Sequence, residues 1–255
     1  MPSLFPVLAA GLVSGTALAD ADLKNDAASY ERCMDTARKE PTDGFEMASV
    51  WKDHGGGLPA EHCAGVALMG LKQYALAGDQ LETLGKEMVR EAPSLRAQVL
   101  SQAGEAWLQA GQPEKARADL TAAIGLDPKD PSLLVDRARV YAAAKDYKAA
   151  KEDLTHALAG GAARGEVLTY RAAANRLSGE LKAARQDADD AVAAAPKSAD
   201  AWLERANIRR LQKDDKGAHA DWLKVLQLAP DSPAGDAARD NIEAMDLHPD
   251  AVAKP

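Results

Sequence analysis

The chain has 255 residues, a net charge of −8, 27% charged residues and only 4% aromatics. That acidity argues against a general nucleic-acid or anionic-membrane binder, which carries a basic surplus. Abundant alanine beside few strand-forming residues argues against a sheet and for helices, and the length suits one domain or one elongated array.

Residues 1–19, "MPSLFPVLAAGLVSGTALA", carry no charge, have an apolar middle and end in Ala17-Leu18-Ala19, a cleavage signature before Asp20. We read them as a signal peptide. The mature protein then starts near Asp20 in the periplasm or outside a bacterial cell, with no membrane insertion after cleavage. A basic residue near Met1 is missing, and an N-terminal anchor is the alternative. The apolar run is, however, shorter than the ~20 residues a spanning helix needs.

Residues 20–57 form an N-terminal helical cap in this reading. A helix is expected over Asp26–Glu40, a break at Pro41-Thr42-Asp43-Gly44, and a second short helix over Phe45–Lys52 that ends at Gly55–Gly57. Cys33 and Cys63 fit one disulfide, in keeping with export. A metal site with His54 and His62, or two free thiols, are the alternatives. No CxxC occurs, and His62 and Cys63 are adjacent on a helix, so they point apart.

From Ala97 onward the sequence repeats every thirty-four residues. Ala116, Ala150, Ala184 and Ala218 keep that frame, as do Leu100, Leu134, Leu168 and Trp202. Pro128, Pro196 and Pro230 keep it too, with Ala162 where one proline is missing. Each unit shows two amphipathic helices with apolar residues three and four apart, separated by a short turn such as Gly111-Gln112-Pro113. One such pair cannot bury its apolar face alone, so neighbours must stack.

This period with these residue types resembles the tetratricopeptide repeat. The resemblance implies an all-α, right-handed solenoid with units at 97–130, 131–164, 165–198 and 199–232. A divergent first unit occupies 58–96, where Gly65, Leu68, Ala77 and Leu81 fall at repeat-like positions. Residues 233–247 read as a capping helix, with Ile242 and Met245 inward, and 248–255 as a flexible tail.

A charged pair also recurs. Asp119 and Arg137 are eighteen apart, as are Asp153 and Arg171, Asp187 and Arg205, and Asp221 and Arg239. Each Asp lies on a second helix and each Arg on the following first helix, so we expect an ion-pair ladder across the unit junctions. The alternative is that these arginines bind a ligand.

The resemblance also implies a function, since such repeats are scaffolds that take peptides in the concave groove lined by each unit's first helix. Carried onto this sequence, the groove residues are Glu105, Gln109, Arg139, Ala143, Ala173, Arg176, Asn207 and Arg210. Arg139, Arg176 and Arg210 make it locally basic, which suits an acidic partner segment; ordinary solvated charges are the alternative. No HExxH, GxSxG, phosphate loop or GxGxxG occurs, and the five histidines are scattered, so no catalysis, cofactor or metal is expected. The expected role is a non-catalytic adaptor. A permanent accessory subunit of an envelope complex is the alternative, separable by salt sensitivity and co-purification.

Overall fold

The computed structural model describes residues 27–247, and every regular element among them is an α-helix. The helices come in antiparallel pairs: α1 (Ala27–Lys39) with α2 (Pro41–Asp53), α3 (Gly57–Gly70) with α4 (Tyr74–Glu87), and α5 (Pro93–Gln109) with α6 (Pro113–Leu126). Then follow α7 (Ser132–Ala143) with α8 (Tyr147–Ala159), α9 (Arg164–Leu177) with α10 (Leu181–Ala194), and α11 (Ala199–Leu211) with α12 (Asp215–Leu228). A single helix, α13 (Pro233–Leu247), closes the array. The stretch read as a signal peptide, the segment to Asp26 and the stretch read as a C-terminal tail lie outside the described residues.

Each of the four pairs from α5 to α12 turns on one residue in the left-handed region. Gly111, Lys145, Gly179 and Lys213 hold this place thirty-four residues apart, with φ of 70°, 62°, 82° and 63°. The amide after it reaches back to a carbonyl of the preceding helix, as Asp146 N does to Tyr141 O at 2.8 Å. Such a closure satisfies carbonyls that the helix end leaves open. Three of the second helices then start on a proline, at Pro113 in α6, or on a capping aspartate in α8 and α12: Asp146 accepts from the Ala149 amide and Asp214 from the Gly217 amide.

Every helix packs on the next, and each pair buries the face that the period selects. Ala116, Ala150, Ala184 and Ala218 are fully buried, as are Leu81, Val167 and Ile208. Alanine at the recurring site lets helix axes approach closely. The capping helix seats Ile242 and Met245 against Trp222 and Val225, while Asp236, Arg239, Asp240 and Glu243 face water.

The N-terminal segment differs from its expectation. Pro41-Thr42-Asp43-Gly44 does not break the chain into a loop; it is the first turn of α2, with Pro41 at a position where no amide is needed. Gly44 sits inside that helix because a Cβ there would come within 2.3 Å of the Ala37 backbone. α1 and α2 therefore pack on α3 as a further hairpin. Cys33 on α1 and Cys63 on α3 are disulfide-bonded across a Cα separation of 6.0 Å, in a core with Met34, Trp51 and Ala60.

Candidate functional site

First helices of neighbouring units touch one another, α5 with α7, α7 with α9, α9 with α11 and α11 with α13. Second helices lie on the other side. The array thus curves with α5, α7, α9 and α11 on its inner face, and all eight groove residues taken from the resemblance lie on those helices. Their environments differ from the expectation. Arg139 donates to both Glu105 carboxylate oxygens, at 2.8 and 3.3 Å. Arg176 holds Glu204 at 2.6 and 3.2 Å, and Arg210 donates to Asp215 at 2.6 Å. Asn207 accepts from the Trp222 indole at 3.2 Å and is half-buried. Gln109 donates to Glu105 at 2.8 Å. Ala143 is exposed and Ala173 lines the inner wall.

The three arginines are therefore not a basic strip open to a carboxylate. Each is neutralised by an acid of this chain, and the ground for expecting an acidic partner is removed. Glu105 and Arg139 occupy the same position in successive units, so that pairing was available to a reading that compared unit with unit. Glu204 is buried, and burial raises its carboxyl above the usual range while Arg176 opposes the rise.

A hollow of about 790 Å³ lies on the inner face between α9 and α11. Its floor is Thr169, Tyr170 and Ala173 of α9 and Leu203 of α11. Ala173 opens it: the equivalent residues one unit before and after are Arg139 and Asn207. A second hollow of about 460 Å³ lies near the N-terminus, between Tyr30, Leu58, His62 and Leu95. Here the Tyr30 hydroxyl meets His62 Nδ1 at 2.7 Å, and His62 Nε2 meets Gln102 Oε1 at 2.8 Å. The Gln102 oxygen can only accept, so Nε2 carries the proton and the Tyr30 hydroxyl donates to Nδ1. Burial lowers the His62 pKa and keeps the ring neutral.

The ion-pair ladder exists, but in a register other than the one expected. Arg137 grips Asp153 with Nε and Nη2, both at 2.8 Å; Arg171 grips Asp187 at 2.9 and 2.7 Å; Arg205 grips Asp221 at 2.8 Å twice. Each pair joins the two helices of one unit and not two units. Helices of a hairpin bring together residues equidistant from their turn, and Lys145 stands midway between Arg137 and Asp153. The remaining amino group does cross the junction: Arg137 Nη1 reaches Thr121, Arg171 Nη1 reaches Thr155, and Arg205 Nη1 reaches Asp189, at 3.2–3.3 Å. Arg239 does not meet Asp221; it donates to Asp236 and to the Pro230 carbonyl.

This register leaves Asp119 without an arginine, because Ala103 stands at its partner's place. Asp119 is only 6% exposed, and its Oδ2 has no hydrogen-bond partner. Burial, with Glu82 adding to it, pushes its carboxyl up to about 7 against the pull of Lys86, Trp107 and Lys115. Sequence reasoning missed this residue as an exception because it placed Asp119 opposite Arg137.

The tetratricopeptide repeat family model matches residues 108–168, from the end of α5 into α9. No curated protein matches the chain in sequence. Among solved structures it is similar to PilF of Pseudomonas aeruginosa, at 17% identity over 83% of this chain and 99% of that one, with a TM-score of 0.59. It is also similar to the APC/C hetero-tetramer Cut9–Hcn1, at 15% identity over 84% of this chain and 42% of that one, TM-score 0.63. A third is MamA from Desulfovibrio magneticus RS-1, at 16% identity over 76% of this chain and 99% of that one, TM-score 0.53. At these identities the likeness is one of fold.

Proposed function

We propose that this chain, a solenoid of tetratricopeptide repeats, is a non-catalytic interaction module that holds an extended segment of another protein along its inner face. The observation that carries this is the open hollow between α9 and α11, whose floor is small and apolar and whose rim is charged. A continuous row of such helices offers a long surface that an extended segment can follow side chain by side chain. The Cys33–Cys63 disulfide supports an oxidising compartment, in line with an exported protein cleaved near Ala19.

Affinity capture from extract of the native host tests the reading. The bait is compared with Ala173→Arg, which fills the hollow, and with Gln186→Arg on the exposed face of α10. A partner lost from the first variant and kept by the second supports the groove. Partners retained by both variants, or lost from both, contradict it.

A further inference from the structure

Along the inner face from α5 to α11, most charges answer one another. Glu105 and Asp136 share Arg139, Glu204 holds Arg176, and Arg164, which also lines the hollow, pairs with Asp190 at 3.4 Å. Two acids beside the hollow, Glu166 and Asp200, make no ion pair among the described residues, and both are exposed. They are equivalent residues of successive units, each in the first turn of its helix. The helix dipole stabilises a carboxylate there without neutralising it. Between them lies the half-buried ring of Tyr170, with Leu203 beside it. The phenol senses both charges: burial raises its pKa first, and Glu166 and Asp200 raise it further against Arg139.

We infer that this hollow receives a basic and apolar segment of a partner protein, with a lysine or arginine between Glu166 and Asp200 and an apolar side chain against Tyr170 and Leu203. The inference rests on the groove reading above and narrows it. An acidic segment would meet two uncompensated like charges, an arrangement that excludes wrong partners more strongly than it costs right ones. The volume of about 790 Å³ is room for several side chains of such a segment.

The test is a selection from a phage-displayed library of random twelve-residue peptides against the mature protein. Enriched peptides are then synthesised and measured by fluorescence anisotropy. The expected winners combine lysine or arginine with leucine, phenylalanine or tyrosine. Their affinity falls about tenfold on Glu166→Gln/Asp200→Asn and falls again as salt rises. Neither acid makes an ion pair among the described residues, so this variant should stay folded and lose only the helix-dipole contribution, a Tm lower by no more than a few degrees. Leu203→Arg serves as a second variant that blocks the floor. Acidic or neutral winners that are lost on Leu203→Arg but indifferent to the charge removal overturn the basic-segment inference and leave the groove reading standing. Winners indifferent to both variants, or no enrichment at all, overturn both.

Discussion

Ala103 stands where Arg137, Arg171 and Arg205 stand in the following units, and this one difference leaves Asp119 buried without a guanidinium. Trp107 fills the neighbouring space, close enough to Gly78 that a Cβ there would come within 2.6 Å of the ring. The folded carboxyl is raised to about 7 from 3.8, so the folded state holds a proton that the unfolded state releases. The stability this group allows is present at low pH and is lost as pH rises from about 4 to about 7. Asp119→Asn should therefore stabilise the protein by roughly 1–3 kcal/mol at pH 8 and hardly at all at pH 4, measured by denaturant midpoints. An equal gain at both pH values would refute the buried acid. A double-mutant cycle should couple Arg171→Met to Asp187→Asn by about 1–3 kcal/mol, and to Asp153→Asn by less than about 0.5 kcal/mol. The period explains why the register was not legible: thirty-four is the sum of sixteen and eighteen, so each Arg follows one Asp and precedes another. Symmetry about the turn residue is the signal that separates them.

The helix pair is the element that the sequence states most openly. Apolar spacing, small residues at the recurring position and a proline after most second helices all mark it, and α13 begins and ends where its pattern does. Turns were less legible because the left-handed residue is glycine in some units and lysine in others. Lysine pays a conformational cost there of the order of 1 kcal/mol, which glycine avoids. Lys145→Gly should thus raise stability by about 0.5–1 kcal/mol, seen as a higher denaturant midpoint at unchanged slope. A loss would mean that the Lys145 side chain, and not its backbone, matters to the turn. The N-terminal hairpin shows the reverse problem. Proline and glycine in Pro41–Gly44 read as loop punctuation, yet one starts α2 and the other lets it touch α1. Those roles depend on the neighbouring helix, which local sequence does not contain.

For the whole molecule, stacking turns a local pattern into a continuous inner face, and the frame alone located that face. Its charge was not legible, because an arginine counts as free or occupied only once its neighbour is known. Arg176 finds Glu204 on the next first helix, and Arg210 finds Asp215 across its own turn. What remains is an acidic, partly apolar hollow between α9 and α11, within a surface that this reading assigns to a partner segment. Site-specific photo-crosslinking in the native host tests that assignment most directly. Benzoylphenylalanine would be placed singly at Thr169 and Ala173 on the inner face, and at Glu152 and Gln186 on the outer helices. Adducts with another protein from the inner positions alone are the expected result, and adducts confined to the outer positions would contradict the account.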